Sequence, residues 1–231
     1  MDIFIGLANI MSKVMFDLKI EYTRFLRERT KNPMEFKTGN SVLYDMCKKY
    51  PHHNDTDEIV SKIWLIGRSY AAAIERRKGA EDDEISDDFY YDKVAPAIKK
   101  HSKRLDREID KLNSLKGNYK ENAECILSLH KYLMDIFKDI TGLEKRSLAA
   151  KYLHFHCPDK FLIFDSRAQA AARKAIQRPD KPKEWVEKYD PDYVDFVCRI
   201  IDMTEIIESE TGERPMPRDI DNFLLHHVER L

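Results

Sequence analysis

Apolar residues recur along this chain at every third or fourth position, the spacing of a helix with one buried face. Ile10, Val14, Leu18, Tyr22 and Phe25 form one stripe. Ile59, Ile63, Ile66, Tyr70 and Ala73 form a second, on a central helix that Asp55 or Thr56 is placed to cap. Asp92 to about Leu115 reads as a long, basic, solvent-facing helix with Pro96 in its first turns, where the missing N–H does no harm. Ala123–Phe137, Asp192–Glu210 and Arg218 to the end repeat the amphipathic pattern. The alternation that marks strands is missing, and only Lys160–Phe164 looks extended, at a length that suits a linker. The pattern predicts an all-α fold, a two-lobed helical domain of about nine helices.

A chain of 231 residues can bury a substantial core as one domain or two small lobes. The lobes expected are residues 1–86 with the C-terminal helices, and residues 87–190. The acidic run Glu81-Asp-Asp-Glu84, with Asp87 and Asp88, would be a solvated loop at their joint.

Charge changes this picture only locally. The formal net charge is −1, so any contact with a polyanion has to come from a basic patch and not from the field of the whole molecule. Residues 143–188 carry eleven Lys/Arg against six acids, and residues 99–120 carry eight against three, each a surplus of five. Such stretches suit phosphate-backbone binding, although charges also cover the exteriors of most helices. Cysteines 47, 125, 157 and 198 stand alone, which fits reduced thiols and neither a zinc ribbon nor a disulfide scaffold. The chain begins without the basic lead and apolar run of a signal peptide, and no segment has the length to span a bilayer. A soluble, cytoplasmic protein without metal or cofactor is the expectation.

Candidate chemistry concentrates between Ser147 and Ala168. Thr141-Gly-Leu-Glu144 has the capping-box spacing, which predicts a helix starting at Gly142 with its N-terminal amides beside Lys145 and Arg146, a ready anion site. That helix would stop at Pro158. Ser166-Arg-Ala-Gln169 is a second capping pattern, and just before it stands Asp165, at the end of the apolar run Phe161–Phe164. Asp165 has two readings, a helix cap or a carboxylate held ready for catalysis. His154, His156 and Cys157 invite a metal reading, but alternate residues of a helix point about 200° apart. One of these histidines is expected to pack under the following loop. His52-His53 and His226-His227 read as surface or cap residues. Lys151 reads as a phosphate contact or a helix residue extending its head to water.

A helix entered through a phosphate-binding turn, an alanine-rich middle, a proline, then an apolar run ending in Asp at a helix start resembles the helix-hairpin-helix DNA glycosylases. The similarity covers roughly residues 137–178, with Lys160-Phe-Leu-Ile-Phe-Asp165 as the apolar segment. The resemblance implies that Asp165 is catalytic, and that Gly142, Lys145, Arg146, Lys151 and Arg167 contact the DNA backbone. Trp64, Arg68, Tyr70 and Glu75 on the central helix would line a base pocket, Arg68 and Glu75 lying two turns apart on one face. The hairpin is degenerate, with Glu144 where a second glycine would fall. The position of the lysine used by lyase members holds Lys145, Arg146 or Ser147 according to register, and Ser147 is the candidate taken. This implies a monofunctional glycosylase whose substrate is damaged or modified DNA, by analogy the modified DNA of a phage. The competing readings are a catalytically silent nucleic-acid binder and a helical protein-interaction module.

Overall fold

The computed structural model describes residues 16–31, 36–76 and 88–230. Among them the chain is all-α, with ten helices and no strand. These are α1 Leu18–Lys31, α2 Lys37–Lys49, α3 Thr56–Ser69, α4 Ala95–Ser114, α5 Ala123–Thr141, α6 Arg146–His156, α7 Ser166–Ala175, α8 Lys183–Lys188, α9 Pro191–Thr211 and α10 Pro217–His226. A single 3-10 turn, Val228–Arg230, follows. No helix of the described residues is long and apolar enough to cross a membrane. Ile10 and Val14 of the first stripe, and the acidic run up to Asp87, lie outside the described residues.

The chain divides into two compact units, one of residues 1–35 with 162–231 and one of residues 36–161. The division falls at 35/36 and 161/162, so Asp165 belongs with the C-terminal helices and the α5–α6 hairpin lies in the other unit.

In the first unit α9 is the spine. Tyr193, Val194, Phe196, Val197, Ile200, Met203 and Ile207 are buried on several sides of it, as expected of a helix wrapped by neighbours. It packs against α1, α7 and α8. Three charged residues are buried on it: Asp195, Arg199 and Asp202. Arg199 Nε donates to Asp195 at 2.9 Å, and Lys181 Nζ donates to Asp195 at 2.8 Å. Burial alone pushes the Asp195 carboxyl up, but the Arg199 and Lys181 hydrogen bonds outweigh it and bring the pKa to about 2. Phe223 meets Tyr22 and Phe25 edge-on, tying α10 to α1.

In the second unit α3 packs on α4 and α6, α2 on α3 and α6, and α5 on α4 and α6. Asp55 is the cap of α3, accepting the Glu58 amide at 3.0 Å. The long basic helix is preceded by a π-turn, Tyr90–Val94, in which the Ala95 amide donates to Tyr90 instead of Tyr91. The wider turn precedes Pro96, whose ring has no N–H to continue the α ladder and would crowd a carbonyl four residues back. The helix does not only face solvent. Ile98, Leu105, Ile109 and Leu112 are buried along one side of it.

Candidate functional site

Asp165 stands at the head of α7 with extended backbone (φ −152°, ψ 178°). Its Oδ1 accepts the amide hydrogens of Arg167 at 3.0 Å and Ala168 at 2.9 Å. The cap is therefore Asp165 itself, and the predicted Ser166 cap is replaced because Ser166 is already the first helical residue. Phe161, Leu162, Ile163 and Phe164 before it are all buried, and the carboxylate is half-buried. Two amides and a helix N-terminus fix a negative charge in one orientation. Arg167 is exposed and forms a bidentate pair with Glu229, at 2.9 and 2.5 Å.

Of the four residues expected to line a base pocket, Trp64, Arg68 and Glu75 lie together, by a different path from the one predicted, while Tyr70 packs with Asn40, Lys151 and Phe155. α3 ends at Ser69, so Arg68 and Glu75 do not share a helical face. Instead the chain reverses through a Schellman turn, in which the Ala72 amide donates to the Gly67 carbonyl at 2.8 Å and the Ala71 amide to Arg68 at 3.4 Å. Ala71 takes the left-handed position at φ 51°, where glycine is usual. A Cβ on Gly67 would lie 3.1 Å from the Ala73 Cα, so the close return of the chain needs glycine there. The reversal brings buried Glu75 back to Arg68, an ion pair completed by a hydrogen bond from the Tyr90 hydroxyl to Glu75. The Arg68 guanidinium lies 5.8 Å from the Trp64 ring centre, and Trp64 is 41% exposed.

Lys151 joins this corner. It is 4% exposed and donates from Nζ to the Tyr70 carbonyl at 3.1 Å, with the ammonium 5.7 Å from the Tyr70 ring centre. A lysine that extends its head to water does not describe it. Tyr70 in turn donates its hydroxyl to Asn40 at 2.5 Å and meets Phe155 edge-on.

Two packed helices, α5 and α6, do meet around Gly142, with the boundary moved from the predicted one. Gly142 is the left-handed C-cap of α5 (φ 72°), not the start of a helix, and the Thr141 hydroxyl turns back to the Phe137 carbonyl at 2.7 Å. The next helix begins at Arg146, with Lys145 in the cap position and no side-chain cap bond. Lys145 Nζ donates to the Arg76 carbonyl at 2.5 Å, and Arg146 pairs with Glu144 at 3.3 Å. Ser147, half-buried, is the second residue of α6. His130 on α5 holds the two arms together through a 3.1 Å hydrogen bond to the Arg146 carbonyl.

The most exposed basic surface lies elsewhere. Lys99, Lys100, Lys103, Arg104, Arg107 and Lys111 are all exposed on α4, on the side away from Ile98, Leu105 and Ile109. Arg104 stacks on Tyr132 at 4.0 Å, and that tyrosine's hydroxyl meets His101 Nδ1 at 2.9 Å. The charge surplus of residues 99–120 signalled this stretch, but only the helical phase singles out these six residues.

Beneath α4 runs a buried polar relay. His53 Nδ1 lies 2.5 Å from Asp106 Oδ1, and its Nε2 lies 2.6 Å from the Tyr152 hydroxyl. His53 is fully buried, contrary to the expected surface position. Desolvation lowers its pKa, against the hydrogen bond it donates to Asp106, which raises it. A neutral imidazole that donates Nδ1–H to the carboxylate can accept the Tyr152 hydroxyl at Nε2. Burial raises the Tyr152 pKa far above its usual value, so this hydroxyl is not an activated nucleophile. The relay is a structural tie between α4 and α6. Lys62 is as deeply buried. It donates to the carbonyls of Tyr50 (2.7 Å) and His52 (2.8 Å), and desolvation lowers its pKa to about 8.

Of the other histidines, His154 packs under the following loop as expected. Its Nδ1 is 2.8 Å from the Phe161 carbonyl and its Nε2 is 2.6 Å from the Tyr44 hydroxyl. His227, expected at the surface or as a cap, is the buried C-cap residue of α10 and meets Glu21 at 2.6 Å. Among the described residues no group of three or more His, Cys, Asp or Glu could hold a metal ion. The four cysteines are free, and burial pushes the thiols of Cys47, Cys157 and Cys198 up to about 12.

Fold and site thus define an all-α protein with a helix hairpin, an anchored carboxylate and a basic helix face. No protein-family model, curated protein or solved structure matches the chain.

Proposed function

We propose that this chain binds DNA through the exposed face of α4 and excises a modified or damaged base by hydrolysing its N-glycosidic bond. The observation that carries the reading is the line of six exposed cations from Lys99 to Lys111. At a rise of ~1.5 Å per residue they extend over about 18 Å, enough to meet several phosphates. Tyr132 beside Arg104 adds a ring on which an unpaired base can stack. Asp165 supplies the chemistry. Breaking the bond to the base builds positive charge on the sugar, and a fixed carboxylate stabilises that cation and orients the attacking water. The base leaves the helix for a pocket, for which Trp64, Arg68, Tyr70 and Glu75 are the candidates. On the register taken, Ser147 holds the position of the lyase lysine, and Lys145 and buried Lys151 each donate to a backbone carbonyl, so the reading is monofunctional hydrolysis.

A second reading has its own observation. The two amide bonds to Asp165 Oδ1 account for that residue as a cap alone, which favours a DNA binder without catalysis. One series of experiments separates the two. Binding to a duplex should weaken steeply with salt, and the triple variant Lys100→Glu, Lys103→Glu, Arg107→Glu should bind far more weakly with a clearly shallower salt slope. A slope unchanged by the triple variant would remove α4 from the interface. Incubation with DNA carrying damaged or modified bases should then leave alkali-labile abasic sites, lost in Asp165→Asn. Salt-dependent binding without any base release would establish the second reading.

A further inference from the structure

Resting on the DNA-binding reading above, we propose that the α4 face takes an unpaired strand in preference to a duplex, with one base stacked on the outer plane of the Arg104 guanidinium.

The setting of α4 is the first argument. A major groove about 12 Å wide admits a single α-helix, itself about 10–12 Å across with its side chains. α4 cannot enter such a groove alone, because neighbours stand at both of its shoulders. On one side Arg104 rests on Tyr132 of α5, which packs along α4. On the other side the loop before α3 closes in. His53 meets Asp106 through its ring Nδ1 at 2.5 Å and its backbone amide at 3.2 Å, and His52 Nε2 lies 3.5 Å from Asp110. In helical phase Lys100, Lys103, Arg107 and Lys111 fall between these two shoulders, so the charge forms a strip on a broad surface and not a protruding ridge. A duplex laid on that strip touches it with one backbone, which winds away from a straight helix. A flexible single strand can follow the whole row of cations.

Stacking is the second argument. The Arg104 guanidinium lies 4.0 Å from the Tyr132 ring centre, the distance of a planar group resting on a ring. Tyr132 is half-buried and its hydroxyl is fixed by His101 Nδ1 at 2.9 Å, so the support is held in place. Arg104 is exposed and has no ion pair among the described residues, while its neighbour Arg107 pairs with Glu108 at 3.0 Å. One face of the guanidinium is therefore backed by the ring, and the other is open to a ligand. Arginine planes and aromatic rings are the surfaces on which proteins stack unpaired bases, with little regard to sequence. In a duplex each base is already stacked between its neighbours, and this plane has nothing to receive. An unpaired strand gives it a base while its phosphates meet the lysines.

The test uses fluorescence anisotropy of the full chain at one salt concentration with three probes. These are a mixed-sequence single strand of about twelve nucleotides, within the site sizes of single-strand binders, its duplex with the complement, and a strand of base-free spacers with the same number of phosphates. The single strand should bind at least about tenfold more tightly than either of the others, the gain of one stacked base. Arg104→Lys keeps the charge and removes the plane, and it should bring the single strand level with the base-free strand. Tyr132→Leu, which removes the support, should narrow the same gap. The triple variant Lys100→Glu, Lys103→Glu, Arg107→Glu should weaken all three probes. A duplex or a base-free strand bound as tightly as the single strand overturns the proposal, as does a preference that survives Arg104→Lys. In those cases loss of binding in the triple variant leaves the DNA-binding reading standing. If the triple variant binds like the natural chain, or the natural chain binds no probe, that reading fails and this proposal with it.

Discussion

Asp165 can be probed by two substitutions that separate its charge from its capping bonds. Asparagine keeps an oxygen where Oδ1 accepts the Arg167 and Ala168 amides, and as a cap it ranks beside aspartate. Alanine removes both bonds. From cap substitutions in general, Asp165→Ala should cost about 1 kcal/mol, and Asp165→Asn only a few tenths. In a protein of this length each kcal/mol lowers the melting temperature by roughly 2–4 °C, so calorimetry resolves alanine from the natural chain and barely resolves asparagine. Base release should fall about 10²- to 10⁴-fold in both variants, because both remove the carboxylate that meets the sugar cation. The diagnostic pattern is an asparagine variant that is stable and inactive beside an alanine variant that is less stable and equally inactive. Asparagine retaining base release would refute the catalytic role. Asparagine losing as much stability as alanine would refute the capping geometry.

Ala71→Gly should stabilise the protein by up to about 1 kcal/mol, read as a rise in melting temperature of roughly 2–4 °C, because glycine has no penalty at φ 51°; a fall would contradict the Schellman turn. Burial lowers the pKa of His53 and, further, of His156, so the unfolded chain binds more protons just below its ordinary pKa of about 6.5. Stability is then complete above that pH and declines as pH drops through it, by up to about 1.4 kcal/mol per pH unit for each residue. Urea melts at several pH values should show a shallower decline in His156→Phe, and parallel declines would refute the assignment. Lys62 titrates at about 8 when folded against 10.5 in the unfolded chain, so its contribution to stability rises with pH across that window. Lys62→Met should lose that rise, and at neutral pH it should be destabilised by about 1–3 kcal/mol as the Tyr50 and His52 carbonyls lose their donor.

What the sequence made legible follows from the range of the forces involved. The all-α class, the α3 cap at Asp55, the apolar α9 and the tolerance of Pro96 near the start of α4 are local matters of period, capping and missing N–H groups, and a reading of neighbours finds them. The end of α3 was not legible. Ala71, Ala72 and Ala73 are strong helix formers, and nothing local announces that Ala71 will go left-handed so that Glu75 returns to Arg68. Thr141-Gly-Leu-Glu144 matched a start signal, yet Gly142 serves as a stop. Thr and Gly are common to both ends of helices, and the choice is made by α5 packing through Phe137. The burial of His53 depends on Asp106 and Tyr152, 53 and 99 residues away, and no motif encodes it.

The same distinction decides which bases can serve DNA. The motif points to Lys145, Arg146, Lys151 and Arg167, yet each is committed to a group of its own unit: the Arg76 carbonyl, Glu144, the Tyr70 carbonyl and Glu229. Binding a phosphate would require each to exchange a formed interaction for a new one, which reduces the net gain. On α4 the balance is different. Lys99, Lys100, Lys103 and Lys111 have no ion pair among the described residues, and all four are exposed to water. Neutralising a phosphate releases cations condensed on the nucleic acid, and these lysines can do so without losing a bond inside the protein. On the proposed reading, a helix face selected by phase therefore outweighs a motif selected by spacing as the place where DNA engages this chain.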